Sequence, residues 1–116
     1  MTCNESENVV CKHVKATKTF YVDLSFLPTG VTAVSATADT ADTDLTVDGV
    51  QVLDVDTTVD PSQGCAGAQL EAGRAILVIL SGGVASDDEV IVTVCWIDSE
   101  SNEDCRECRV LIEGTA

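Results

Sequence analysis

The sequence predicts an all-β, single-domain fold, an antiparallel β-sandwich of about seven strands. The chain has 116 residues, a length that suits one hydrophobic core. Apolar residues make up 45% and aromatic residues only 3%, so that Val, Ile, Leu and Ala must fill the core. No segment of helical length shows apolar residues at i, i+3, i+4 and i+7. Turn signals recur about every 8 to 12 residues, which is typical of a sandwich.

The first segment, Met1 to Ala16, is polar and has no clear period. It predicts a non-regular N-terminal arm over residues 1–16, ordered by cysteine links or by a partner. The sandwich domain is expected over residues 17–116. Its first strand is predicted at Thr17 to Phe26, where apolar and polar residues alternate, and the turn Leu27-Pro28-Thr29-Gly30 ends it.

Two further predictions concern the middle of the chain. Val31 to Ala38 is a strand of small residues, which suits close packing or a sheet edge. Leu45-Thr46-Val47 and Val50 to Leu53 are predicted as two short strands around Asp48-Gly49, a hairpin turn signal. The chain then becomes irregular from Asp56 to Leu70.

The C-terminal part carries the strongest pattern. It predicts three strands, at Arg74 to Leu80, Glu89 to Ile97 and Cys105 to Glu113. A Ser81-Gly82-Gly83 turn and a polar loop from Asp98 to Asp104 separate them. The last two strands are expected to pair as a long hairpin. Strict alternation in the second strand predicts one inward set, namely Val90, Val92, Val94 and Trp96.

The hairpin register bears on two cysteines. Inward residues must face inward residues, because a slip of one residue moves every side chain to the other face. One permitted register places Cys95 opposite Cys105 on the outward face, close enough for a disulfide. The next register places Cys95 opposite Glu107 instead. In either case Cys108 belongs to the core-facing set.

Three roles are open to the six cysteines. Four thiolates, Cys3, Cys11, Cys105 and Cys108, could hold zinc if the arm lay beside the last strand, although the first pair is not a tight knuckle. Cys105 and Cys108 also form a CxxC, but a redox CxxC needs a helix N-terminus and this one starts a strand. The third role is structural, as buried thiols or as disulfides formed after release by lysis.

The charge limits the range of partners. The formal net charge is −14, which repels phosphate backbones and anionic membranes, so neither nucleic acid nor membrane is expected as a partner. Two interpretations of the acidity stay open: solubility, or docking onto a basic surface. The polar N-terminus shows no signal-peptide pattern, which predicts synthesis in a cytoplasm.

Catalytic, cofactor and metal sites find little support in the sequence. The acidic clusters around Asp42, Asp56 and Asp98 do not follow the EF-hand spacing, although calcium between loops of a sandwich remains an alternative to solvated loop ends. His13 is the only histidine and lies in the polar arm. No GxSxG, HExxH or phosphate-binding loop occurs. We therefore expect no catalytic residue, no cofactor and no enzyme.

A resemblance to a family rests on a set of short motifs. They are Leu80-Ser81-Gly82-Gly83, Val90 to Trp96, Asp98 to Asp104, Arg106, Arg109 to Ile112, Phe20 to Asp23 and Leu27 to Val31. This series resembles small virion structural proteins of tailed bacteriophages, in which a Leu-Ser-Gly-Gly turn leads into a Val/Thr-rich strand, a polar loop and a strand opening with Arg. The loop here lacks the usual Asp-Gly, and the cysteines are not a hallmark of that family.

The resemblance implies an Ig-like sandwich and a structural role. The expected function is a non-enzymatic decoration or cement subunit on the exterior of a tailed-phage capsid. Its partners would be other virion proteins, with several copies on the particle or a homo-oligomer, and its location the virion. The alternatives are a neck or tail-fibre adaptor of the same class and a calcium-dependent adhesion or carbohydrate-binding module. No catalytic residue is carried over.

Overall fold

The computed structural model describes residues 9–58 and 69–114, and these residues form nine β-strands and no helix. The strands are β1 Val9–His13, β2 Lys18–Asp23, β3 Ala33–Thr40, β4 Leu45–Val52, β5 Thr57–Thr58, β6 Gln69–Leu70, β7 Ala75–Gly82, β8 Val90–Asp98 and β9 Glu103–Glu113. The predicted all-β class is therefore confirmed.

The strands form two main sheets and one small one. Sheet A has the order β1-β9-β8-β3, sheet B the order β2-β7-β4, and β5 pairs with β6 alone. All pairings are antiparallel except that of β1 with β9. Sequence neighbours β3 and β4 thus lie in different sheets, as do β1 and β2, so the chain crosses between sheets at both sides of a sandwich.

The core lies between sheets A and B. Sheet A contributes Val92, Val94 and Val110, which are fully buried, and sheet B contributes Phe20 and Val78. Trp96 is 3% exposed and belongs to the same cluster. The predicted inward set of β8 is therefore confirmed, and Ile91 and Ile97 of the opposite set are exposed.

Described residues on either side of the 59–68 segment pack on the other face of sheet B. A second apolar cluster there consists of Leu53, Leu70 and Ala75, with Tyr21 packed against it. Ala75 precedes Ile76 of the main core, and adjacent strand residues point to opposite faces. The cluster therefore fixes the ends of the irregular segment on the outside of the sandwich.

The first correction concerns the N-terminal arm. Regular structure was not expected before Thr17, but Val9–His13 forms β1 and pairs in parallel with β9 from Val9↔Arg109 to His13↔Glu113. The alternation is hidden in the sequence because the inward pair is Val10 and Lys12, and a buried lysine reads as a surface residue. The part of the arm before Val9 lies outside the described residues.

The second correction concerns two predicted turns. Asp48-Gly49 does not end a strand: β4 continues to Val52, and its register against β7 shifts between Val47 and Gly49, so the extra residue makes a bulge. Ser81 and Gly82 remain in β7, because Thr46 and Leu45 pair with them. The predicted turn begins later, at Gly83, where φ is 96°.

Candidate binding surface

The hairpin of β8 and β9 carries a disulfide. Its register runs from Val90↔Val110 to Ile97↔Glu103 and places Cys95 opposite Cys105. The two sulfur atoms are 2.09 Å apart and the Cα atoms 4.0 Å apart. Of the two registers that the sequence permits, the chain thus adopts the one that brings these cysteines together. Because the bond lies near the hairpin tip, it holds the exposed start of β9 in register with the end of β8.

The structure does not support the zinc hypothesis, and this is a correction. Cys105 is joined to Cys95, and Cys11 is also disulfide-bonded, so neither offers a thiolate. Cys108 is a buried thiol that points into the core, on the face of β9 opposite to that of Cys105. Cys3 lies outside the described residues. The same disulfide means that the Cys105–Cys108 CxxC is not a redox pair as it stands.

One face of sheet A points away from sheet B. It is accessible along β8 and the first part of β9, whereas Leu111 of the same face is only 3% exposed. On β8 it presents Ile91, Thr93, Cys95 and Ile97, and on β9 their partners Arg109, Glu107, Cys105 and Glu103. Ile91 is 39% exposed and Ile97 38% exposed. We call this surface the outer face of sheet A. Its backbone is fixed by hydrogen-bonded neighbours and by the disulfide, so it is a rigid surface.

An aromatic pair closes the end of the sandwich near the hairpin tip. Phe26 lies in the loop after β2 and covers Trp96, with ring centroids 6.1 Å apart and planes tilted by 60°. The guanidinium carbon of Arg106 lies 5.9 Å from the centroid of the Phe26 ring. Phe26 remains 56% exposed, so this end offers an aromatic surface with a cation beside it.

Arg74 organises the loop that carries Phe26. Its Nη1 donates to the carbonyl oxygens of Pro28 and Val31, at 3.1 and 3.3 Å. Its Nη2 donates to those of Ser25 and Leu27, at 2.9 and 2.7 Å. A planar guanidinium with fixed donor directions can satisfy four carbonyls at once, so one side chain sets the loop conformation.

The acidic loop residues act as acceptors for the backbone. Oδ1 of Asp98 accepts from the N–H groups of Glu100 and Asn102, and Oδ1 of Asp42 accepts from those of Asp44 and Leu45. These carboxylates therefore cap turns. Within residues 9–58 and 69–114, no group of three or more His, Cys, Asp or Glu side chains is placed to hold a metal ion.

Lys12 is a buried cation at the edge of the core. It is 2% exposed, and its Nζ donates to the carbonyl oxygens of Gly82 and His13 at 2.6 and 2.9 Å. The first of these bonds joins β1 of sheet A to the end of β7 in sheet B. Burial lowers the pKa of Lys12 from its ordinary value of 10.5, and the carboxylate of Asp48 partly offsets this.

Comparisons with known proteins add no identification. No protein-family model, no curated protein and no solved structure matches the chain. Among the described residues no helix is long and apolar enough to cross a membrane.

The sequence interpretation missed the roles of Arg74, Lys12 and Phe26. Arg74 offered one signal, since it is the first cation after Lys18 in a long acidic stretch.

Proposed function

We propose that this chain is a non-enzymatic structural protein of a virus particle, bound to the exterior of a tailed-phage capsid as a decoration or cement subunit. Binding alone would be its mechanism. A rigid sandwich would bury one face on the shell and remain firm outside the host. Its partners would be other virion proteins, and several copies would occupy each particle.

The strand order supports the Ig-like part of this proposal. Strands β2-β7-β4 have the order of strands B, E and D in an immunoglobulin constant-type sandwich, and β9-β8-β3 have the order of G, F and C. The parallel pairing of β1 with β9 adds a first strand beside the last. The motifs of the phage resemblance fall on this frame, mainly on β7, β8 and β9.

The observation that carries the proposal is the outer face of sheet A. It combines exposed Ile91 and Ile97 with a disulfide between them, on strands that are joined to each other by backbone pairing. Glu103 and Glu107 lie beside these apolar residues, so a basic rim on the shell would complement the surface. A preorganised face of this kind loses little conformational entropy when it binds.

The proposal is tested first on particles. Purified particles of the source virus, analysed by quantitative mass spectrometry, are expected to contain the chain in many copies. Absence of the chain from the particles ends the proposal. A few copies per particle would favour the neck or tail-fibre adaptor, because such a part is confined to the tail rather than spread across the shell.

The binding face is tested with two matched variants. Ile97→Asp adds a carboxylate to the outer face of sheet A, while Gln51→Asp adds the same charge to exposed β4 in sheet B. We expect Ile97→Asp to abolish rebinding to stripped particles and Gln51→Asp to leave it within about twofold of the wild type. Melting curves of both variants verify that the fold is retained. Equal loss in both variants contradicts the assignment of the face.

A further inference from the structure

β3 forms an open edge of sheet A. Among residues 9–58 and 69–114 it pairs with β8 alone, and after an irregularity at Val34 its register is regular from Ser35↔Ile97 to Thr40↔Val92. Side chains on this stretch are small, and Ser35, Thr37 and Asp39 are exposed. An edge of this kind presents backbone N–H and C=O groups to any extended chain that approaches it.

The register shows which backbone groups face outward. The Cα atoms of Cys95 and Cys105 are 4.0 Å apart, the short spacing of a non-hydrogen-bonded pair, so the backbone groups of Cys95 point away from β9 and toward β3. Its partner Thr37 therefore bonds to β8. By alternation, the N–H and C=O groups of Ala36 and Ala38 point outward.

Two hydrogen bonds at the end of β3 agree with this assignment. Ile91 has the same parity as Cys95, and its carbonyl oxygen indeed accepts from Oγ1 of Thr40, at 2.9 Å. Thr40 lies two residues after Ala38, so its backbone N–H also points away from β8. This N–H donates to Oδ1 of Asp39 at 2.9 Å. The outward-facing backbone N–H and C=O groups are thus those of Ala36 and Ala38. They lie just before the end of β3, where the Asp39 carboxylate accepts from the N–H of Thr40.

The other three edges of sheets A and B are less suited to strand addition. β1 has five residues, and β4 is interrupted by its bulge between Val47 and Gly49. β2 has no exposed residue. The usual protections of an edge, such as Pro, Lys or a bulge, are absent between Ser35 and Ala38.

The charge beside the edge defines the partner. No Lys, Arg or His occurs between Phe20 and Gly73, and Asp39, Asp44 and Asp48 are exposed on β3, β4 and the turn that joins them. A second copy of this chain would bring two such acidic edges together, each on a chain of net charge −14. Self-pairing is therefore opposed, and a cationic strand is attracted.

We infer that the β3 edge binds an extended, Lys- or Arg-bearing segment of a partner protein by β-strand addition. The partner strand bonds to the backbone of Ala36 and Ala38, and its cations lie near Asp39 and the β3–β4 turn. The inference rests on the proposed function only for the origin of the segment, a neighbouring virion protein. The edge itself is a property of the isolated chain.

A synthetic probe peptide tests the edge directly. The probe is acetyl-Thr-Lys-Val-Lys-Val-Lys-Thr-amide, titrated into the full chain at physiological ionic strength. We expect saturable binding, shifts in the amide NMR signals of Ala36 and Ala38, and slower hydrogen exchange at these two amides. Binding is expected to weaken as salt is added, because the attraction is partly electrostatic.

Two controls separate strand pairing from charge attraction. The same peptide with N-methyl groups on alternate residues keeps its cations but cannot pair on one side. Ala38→Pro removes an outward N–H of the protein without removing a β3–β8 bond, and Ala38→Val keeps that N–H. We expect the methylated peptide and Ala38→Pro each to weaken binding by about tenfold or more, and Ala38→Val to retain it.

Each outcome decides the inference. The inference is overturned if the probe does not bind. It is also overturned if the methylated peptide, or a Glu-containing peptide of the same pattern, binds as tightly as the probe. Equal affinity of Ala38→Pro and the wild type for the probe overturns it as well. A dimer that protects Ala36 and Ala38 overturns it in favour of self-pairing. If Ala38→Pro does not fold, the methylated peptide still decides. Binding of the probe by a chain that is missing from particles sinks the proposed function and leaves the edge intact.

Discussion

Cys95 and Cys105 lie directly opposite each other on β8 and β9, and their disulfide joins positions 10 residues apart in the sequence. The bond lies toward the hairpin tip, outside the part of β9 that packs in the core. Cys108, Val110 and Ile112 are buried, whereas residues 103–107 are exposed on both faces. The exposed start of β9 is thus held by its pairing with β8 and by the covalent bond rather than by burial.

Loss of this bond should lower stability without changing the fold. The double variant Cys95→Ser, Cys105→Ser is expected to lower the free energy of unfolding by about 2.7 kcal/mol, the chain-entropy value for a loop of about ten residues. Urea denaturation of both proteins measures the difference. As a control, Thr93→Ala with Glu107→Ala alters the adjacent pair on the same face and should cost well under half as much. Equal losses in the two double variants would contradict the role of the bond.

The position of Cys108 predicts how the thiol reacts. Its side chain is 8% exposed and packs in the main core, so an alkylating reagent must await an opening of the sandwich. We expect iodoacetamide to leave Cys108 unmodified in the native protein and to modify it fully in strong denaturant, as read by peptide mass spectrometry. Rapid native modification would mean that β9 does not face the core at this residue.

The sequence predicted most where burial and period agree. In β8 every second residue from Val92 to Trp96 is apolar and buried, so both the strand and its inward face could be predicted. In β1 the signal failed because Lys12 occupies an inward position. A lysine can occupy this inward position because its Nζ donates to the carbonyl oxygen of Gly82. Gly82 is far away in sequence, and no local pattern encodes that contact.

The features of the candidate binding surfaces also differ in whether they depend on local pattern or on contacts between distant segments. The pairing of Cys95 with Cys105 was one of the two registers that parity within the hairpin allows, and parity is a local property. The cluster of Phe26, Trp96 and Arg106 joins three separate segments, and the open edge of β3 depends on which strands become neighbours. Contacts between distant segments require the topology, and strand-level reasoning does not supply it.

Arg74 should be among the most sensitive positions for stability. Arg74→Ala removes donors from four carbonyl groups of the 25–31 loop, and we expect a loss of about 3 kcal/mol in the free energy of unfolding. Arg74→Lys should recover less than half of it, because one ammonium cannot reach both pairs. Urea denaturation gives these values.

A neighbouring carboxylate provides the control for Arg74. Glu71 lies 3.9 Å from Nε of Arg74, and its side chain is 75% exposed, so Glu71→Ala should change stability by less than about 0.5 kcal/mol. Faster cleavage of the 25–31 loop by a protease is also expected in Arg74→Ala but not in Glu71→Ala. A large effect of Glu71→Ala would show that the ion pair, rather than the four carbonyls, matters.

The buried ammonium of Lys12 predicts an unusual dependence of stability on pH. Burial holds the pKa of Lys12 below the value of 10.5 that applies in the unfolded chain. Between these two pKa values the unfolded state binds more protons than the folded state, so the contribution of Lys12 to the free energy of unfolding rises with pH and levels off above 10.5. Below the lowered pKa the penalty for burying the charge is present in full.

Comparison with Lys12→Met isolates this contribution, since Met fills a similar volume and does not titrate. We expect the stability of the wild type relative to Lys12→Met to increase as the pH approaches 10.5, measured by urea denaturation at a series of alkaline pH values. Lys15→Met, at an exposed lysine in the turn after β1, should show no such trend. A relative stability that falls with rising pH would mean that the two carbonyl groups and Asp48 stabilise the charged form more than burial disfavours it.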